Sequence, residues 1–481
     1  MALPRIIQGG MGVAISNYRL ANAVSRNADC LGVISGTGVA MVLIGRLMEG
    51  DLDGDTRRAL SHFPFQEPVE RILKDYYIEG GMPDDQPYKR PTMWSTRPPQ
   101  YLNQVTAIAN YVEVFLAKEG HNNPVGINLL EKVQMPTMSS LYGAMLAGVD
   151  YVIMGAGVPM QIPGILDKLA EHQPVSYRLD VLEASAEDEF LLHMDPEQVF
   201  PGVTAKLGNL KRPDFLPIIS SVVLAQALIK RSSGPLQGFV IEGPIAGGHN
   251  APPRGPLQLN DDGEPIYGEK DVVDLEKMRK LGYPFWLAGG YGSPEKLEEA
   301  LSEGAAGIQV GTAFAYCDES GMEPELRKAV IQKVLENTVR VRTDPVASPT
   351  GFPFKVVPLE GTNTDIEIYE ARERVCDIGF LRHAYKTPEG KLAYRCPSEP
   401  IDAYLKKGGA IEDTVGRMCL CNNLGASAGF PQRRKGGFRE PALITSGDDL
   451  VYLAQYFKPG ETSYTAKDVV NYLTRVVVPE K

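Results

Sequence analysis

Eight short apolar runs, rich in β-branched residues, recur along the chain of 481 residues, and nearly every one ends in glycine or a small polar residue. They are RIIQGG (5–10), CLGVISG (30–36), PVGINLL (124–130), DYVIMGAG (150–157), FLPIISS (215–221), GFVIEG (238–243), PFWLAGG (284–290) and AGIQVGT (306–312). Apolar runs without alternation suit strands of a parallel sheet buried on both faces. Helical patterns separate most of them. In SPEKLEEALSEG (293–304), Ser293 suits an N-cap, Pro294 the first helical position and Gly304 the stop. Leu297, Ala300 and Leu301 then share one helical face. An open doubly wound sheet and a (β/α)8 TIM barrel can both house such units. The α/β barrel is expected, because it gathers all eight strand ends around one mouth, whereas an open sheet gathers only those near its switch point.

Three segments break the repeat. Residues 50–105, rich in Pro, Tyr and Met, form an excursion after the second strand. Residues 158–212 are inserted after the fourth and contain an extra candidate strand, VSYRLDV (175–181), and an acidic EASAEDEF. The expected division is a barrel of residues 1–335 with both excursions and a C-terminal extension, 336–481, packing on it as a cap. Long loops in compact enzymes are usually lids or binding elements, so these segments are expected over the barrel mouth. An extended tail also leaves room for pairing into a homodimer.

The net charge of −11 argues against nucleic acid as a partner. KRPDF and QRRKGGFRE, the basic clusters, read as solvated faces. MALPRIIQGG shows no basic region followed by an apolar stretch, and no apolar run reaches bilayer length. The expectation is a cytoplasmic protein without membrane contact. Six cysteines in so long a chain do not make a disulfide scaffold.

Glycines at the ends of the seventh and eighth runs, Gly289, Gly290 and Gly311, expose backbone N–H groups, and Thr312 adds a hydroxyl. Loops at those two barrel positions often hold a phosphate, although tight turns alone would also use glycine. GTGVAM (36–41) lacks the third glycine of a dinucleotide fingerprint and reads as a turn. His249 follows the sixth run behind Gly247 and Gly248, where an imidazole can act as a base or a hydrogen-bond donor. Glu242, at the end of that run, is either a second titrating group or an N–H acceptor that sets the loop.

Together, IIQGGM, GINLL, EGPIAGGHNAPPRG, LAGGYGS and GIQVGTAFAYCDESG resemble the nitronate monooxygenase family, flavin enzymes of (β/α)8 fold. The resemblance covers residues 1–45 and 105–335. SPTGFPFKV, YRCPSEP and GRMCLCNNL resemble a longer bacterial branch. The resemblance implies FMN as cofactor, with Gly9, Gly10 and Met11 along the flavin and Asn128 at its ring or ribityl chain. Gly248 would approach the flavin closely, and Gln309 would point into the barrel beside it. Gly289, Gly290, Gly311 and Thr312 would hold the phosphate, and His249 matches the family's catalytic histidine. The implied reaction consumes an alkyl nitronate and O2 and gives a carbonyl compound and nitrite. His249 would remove the α-proton of a neutral nitroalkane, or stabilise the anion of a preformed nitronate.

Many members carry a proline where this chain has Gly10. QGGM and AGGH are shared with flavin-dependent enoyl-acyl-carrier-protein reductases of the same fold, so an NAD(P)H-dependent reduction of enoyl thioesters is the alternative. A flavin-binding protein with little turnover, its mouth sealed by the tail, is the third. Arg254, after Pro252 and Pro253, is expected either to pair with a substrate carboxylate or phosphate or to make a structural loop contact. Tyr291 either stacks near the cofactor or forms a pocket wall. Cys376, Cys396, Cys419 and Cys421, with His383 nearby, lack paired C-x-x-C knuckles; free thiols packing the tail are expected there, and no metal. Cys317 is expected in packing as well.

Overall fold

Eight parallel strands close into a barrel in the computed structural model, which describes residues 3–476. They are β1 (Ile6–Gln8), β2 (Cys30–Ser35), β3 (Val125–Leu130) and β4 (Tyr151–Gly155). β5 (Asp214–Ile219), β6 (Phe239–Glu242), β7 (Phe285–Ala288) and β8 (Gly307–Val310) complete the circle. Ile6 of β1 registers with Ile308 of β8 on one side and with Cys30 of β2 on the other. The (β/α)8 barrel with insertions that the apolar runs predict is the observed architecture.

Alternation within each strand sorts the core into two shells. Ile6, Ile34, Ile127, Ile241, Leu287 and Ile308 face the surrounding helices. Ile7, Val33, Ile153, Leu216, Val240 and Trp286 fill the lumen. The indole N–H of Trp286 donates to the Pro4 carbonyl at 2.7 Å, so the largest lumen side chain is satisfied at the N-terminal end. Nearer the mouth the lumen turns polar. Glu242 registers with Ala288, Ala288 with Gln309, and Ser35 with Asn128.

The helix after β7 runs Pro294–Ser302, with Ser293 Oγ accepting from the Lys296 N–H at 3.3 Å and Gly304 at φ +80° just beyond its end. The excursion after β2 ends earlier than expected, because the helix Gln100–Ala117 starts directly behind Pro98 and Pro99. Proline suits the entry to a helix and not its interior. In the insertion after β4, Val175–Arg178 pairs antiparallel with Leu191–Met194. The expected strand 175–181 is therefore interrupted: Val181–Leu182 instead lies parallel to His383–Lys386 of the tail.

The tail crosses the mouth. Its strands Arg342–Asp344 and Phe354–Val356 pair antiparallel, and Phe354 bridges His249. A buried ion pair, Arg372 Nε to Glu440 Oε2 at 2.7 Å, lies within it at 5% and 0% side-chain exposure. Buried Lys355 reaches Asp448 and the Thr343 hydroxyl, both at 2.7 Å. All six cysteines are free thiols, and Cys376, Cys396, Cys419 and Cys421 line one cavity of about 10 Å³. Among the described residues no three His, Cys, Asp or Glu side chains are grouped to hold a metal ion. No described helix is long and apolar enough to cross a membrane.

Candidate active site

A cavity of about 270 Å³ lies between the mouth and the tail. It is bordered by Gly9, Gly10, Met11 and Asn128, by Gly248 and His249, and by Gly289, Gly290, Tyr291, Gln309, Gly311 and Thr312. Arg254 is not among them. It is exposed, its N–H donates to Asp271 Oδ1 at 2.8 Å, and its guanidinium donates to the Ser220 carbonyl behind β5. These contacts are those of a structural loop brace, the other alternative being a pairing with substrate.

His249 is held by the tail from three sides. Gly248 donates its N–H to Thr445 Oγ1 at 2.9 Å, and its carbonyl accepts from the Lys355 N–H at 3.0 Å. The Asn250 N–H reaches the Pro353 carbonyl at 2.9 Å. The imidazole meets the Phe354 ring edge-on, centroids 4.8 Å apart, and its Nε2 lies 2.7 Å from Ser348 Oγ. Burial drives its pKa down to about 4. The ring is therefore neutral across the physiological range, with one donor and one acceptor nitrogen.

The two glycines before it serve different needs. A Cβ on Gly247 would come within 2.7 Å of the Ser446 carbonyl carbon, so this glycine admits the tail backbone. Gly248 adopts φ +80°, a left-handed conformation that glycine takes without strain, and a Cβ there would meet nothing within 4 Å.

Glu242 follows Val240 on the lumen side of β6 and borders the cavity. Burial pushes its pKa up to about 8, so the group is a neutral carboxylic acid at pH 7.

The ends of β7 and β8 form a cradle of donors. Gly289 and Gly290 have φ of +88° and +82°. The N–H groups of Gly290, Tyr291, Gly292, Gly311, Thr312 and Ala313 reach no backbone carbonyl among the described residues. Such unpaired donors suit an anion. Thr312 Oγ1 accepts from the Gly447 N–H at 3.1 Å, and the Gln309 amide oxygen is buried without a partner. Ser348, Thr445, Ser446 and Asp449, all from the tail, complete the surroundings. Sequence reasoning missed them; the only signal was the density of Ser, Thr and Asp among the glycines and prolines of SPTGFPFKV and TSGDDL.

The sequence profile described as nitronate monooxygenase matches residues 208–345. That stretch contains β5 to β8, His249 and the donor cradle. Over that stretch the chain is similar to the nitronate monooxygenase family. A probable nitronate monooxygenase of Bacillus subtilis (strain 168) is 31% identical over 128 residues, covering 27% of this chain and 34% of that one. One from Staphylococcus haemolyticus is 27% identical over 141 residues, 29% of this chain and 38% of the relative. An octahydroindene carboxyl-CoA dehydrogenase of Mycobacterium tuberculosis is 27% identical over 144 residues, 30% and 36% of the two chains. The chain thus spans about a third of the length of the curated relatives it matches. Among solved structures, a nitroalkane oxidase from Streptomyces ansochromogenes aligns with TM-score 0.46 and 15% identity, covering 98% of this chain and 94% of the other. An enoyl reductase domain from the macrolactin biosynthesis cluster of Bacillus amyloliquefaciens aligns with TM-score 0.46 and 11% identity, covering 98% and 95%.

Proposed function

We propose that this protein is an FMN-dependent oxidoreductase that oxidises alkyl nitronates with O2 to a carbonyl compound and nitrite. The observation that carries the reading is a neutral His249 in a cavity shared with an N–H cradle, on the segment that matches the family profile. The residues fit the cofactor. Six unpaired N–H groups at the ends of β7 and β8 suit its phosphate, and the unpartnered Gln309 carbonyl suits a ring N–H. A Cβ on Gly10 would fall 2.2 Å from Asn128 Cβ, so the end of β1 packs directly on Asn128 and keeps that wall thin.

Bound FMN supplies the electron transfer from substrate to O2, which amino-acid side chains cannot perform. The chain's own residues position and sort charge. Ser348 holds His249 Nε2, which fixes the ring plane, and the neutral imidazole offers an N–H to the anionic oxygens of a nitronate. With a pKa of about 4 the same ring is a weak base, which disfavours proton removal from a neutral nitroalkane. The reading therefore favours preformed nitronate as substrate and narrows the proton-abstracting role that the family resemblance implies. Glu242, neutral at pH 7, adds an acid without a repelling charge. Phe354, Leu420 and Leu443 of the tail line the cavity with apolar surface, which lowers the local dielectric and strengthens polar contacts inside.

Anaerobic stopped-flow absorbance tests the reading, with the FMN-loaded protein mixed separately with propionate 3-nitronate, NADH and NADPH. Loss of the oxidised-flavin band with nitronate alone supports it. Bleaching by a nicotinamide without response to nitronate moves the protein to the enoyl-thioester reductase class. A protein that binds no FMN overturns both.

A further inference from the structure

The stretch Thr445-Ser446-Gly447-Asp448-Asp449 runs between the loop after β6 and the loops after β7 and β8. Its backbone is fixed on both sides: Asp448 donates its N–H to the Ile245 carbonyl at 3.0 Å, and Gly447 donates to Thr312 Oγ1 at 3.1 Å. A Cβ on Gly447 would lie 2.8 Å from that Thr312 oxygen and 3.0 Å from the Ile245 oxygen, so only glycine allows the approach. Further along, the Gln455 amide and the Tyr456 hydroxyl both donate to the Gly292 carbonyl. The segment is as firmly seated as a barrel loop.

Two hydroxyls in this region make no well-aligned hydrogen bond. Ser446 is 4% exposed and borders the cavity, yet its Oγ has no partner. The Tyr316 hydroxyl is fully buried and close enough to Ser446 to interact with it, and it too lacks a well-aligned hydrogen bond. Buried polar atoms without partners are rare in native proteins and call for a ligand or ordered solvent. Ser446 borders the same cavity as Gly311 and Thr312, and its neighbour Gly447 bonds to Thr312. The Asp449 carboxyl stands at the same place, its Oδ2 3.5 Å from where a Cβ on Gly292 would be. Burial raises its pKa, against the opposing pull of the Thr312 hydroxyl and of Lys355, whose ammonium is itself bonded to Asp448 and Thr343.

We propose that this tail segment is part of the cofactor-phosphate site, with Ser446 donating its hydroxyl to the phosphate and Asp449 setting an upper limit on how tightly the phosphate is held. The proposal rests on the FMN reading above. It assigns part of the site to the tail, outside the stretch that matches the family profile.

The test compares FMN with riboflavin, which lacks only the phosphate, by fluorescence titration of the apoprotein. Ser446→Ala is expected to weaken FMN about tenfold, the range for a hydrogen bond to a charged group, and to leave riboflavin unchanged. Ser446→Thr, which keeps the hydroxyl, is expected to restore most of the FMN affinity. Asp449→Asn is expected to tighten FMN severalfold, again without effect on riboflavin. Thermal melts of each apoprotein establish that the variants fold. Equal changes for both ligands, or no change in either, overturn the proposal, as does weaker FMN binding by Asp449→Asn. A wild-type protein that binds riboflavin as tightly as FMN, or binds neither, refutes the FMN-phosphate reading itself and the tail's part with it.

Discussion

His249 and Glu242 border one cavity, and desolvation there moves them in opposite senses. His249 falls to about 4 and Glu242 rises to about 8, so both are uncharged between those values. On the proposed function, an anionic nitronate meets no like charge from these two groups below about 8. Its kcat/KM is expected to fall as pH rises through about 8, where Glu242 ionises, and Glu242→Gln is expected to flatten that limb of the pH–rate profile. The linkage to stability follows the same groups. A carboxyl raised in the fold contributes stability that is present below its ordinary pKa of 4.5 and is lost as pH rises towards 8. An imidazole lowered in the fold contributes stability above 6.5 that is lost as pH falls towards 4. Glu242→Gln is therefore expected to raise the Tm at pH 9 and leave it nearly unchanged at pH 5. Ser348→Ala removes the partner of His249 Nε2. A net hydrogen bond is worth about 1 kcal/mol, so kcat/KM for the nitronate is expected to drop about fivefold with FMN content unaltered. His249 was legible in the sequence; Ser348 was not, because the pair is separated by 99 positions.

The strands and caps were the most legible elements. PFWLAGG, read as residues 284–290, yields a strand at Phe285–Ala288, because the two glycines leave the sheet to form the donor cradle. Ser293, Pro294 and Gly304 bound their helix where local chemistry places them. VSYRLDV was less legible: its two halves pair with different partners, Leu191–Met194 and His383–Lys386, and neither partner shows in the local pattern. The loop after β6 gives an element-scale prediction. Gly247→Ala drives a methyl into the Ser446 backbone, at 2.7 Å, and such overpacking costs about 1–3 kcal/mol. It is expected to loosen the tail, seen as faster cleavage there in limited proteolysis. Gly248→Ala meets open space and bears only the left-handed strain of about 1 kcal/mol. Faster cleavage in Gly248→Ala than in Gly247→Ala would contradict this ordering.

At the scale of the molecule, barrel and tail interlock through the bridge from His249 to Phe354 and the bond from Gly248 to Thr445. The insertion after β4 joins the tail in a shared sheet. They are expected to unfold together. Arg372→Met strands Glu440, which is 0% exposed, and breaking a buried pair costs about 3–5 kcal/mol, although Arg434 retains part of the compensation. Calorimetry is expected to show one transition at lower temperature; a second, separate transition would show that the tail melts apart from the barrel. The sequence by itself determined what short-range physics encodes: eight buried strands, helix starts and stops, turn glycines, and a histidine behind the sixth strand. Tertiary structure alone decided that Arg254 braces a loop, that Gly247 makes room for the tail, and that Ser348, Ser446 and Asp449 meet the barrel mouth. Periodicity and capping act within a few turns of chain, whereas the cavity is shaped by contacts such as Gly248 to Thr445, 197 positions apart. Contacts at that distance depend on how the whole chain packs and leave no trace in a local window.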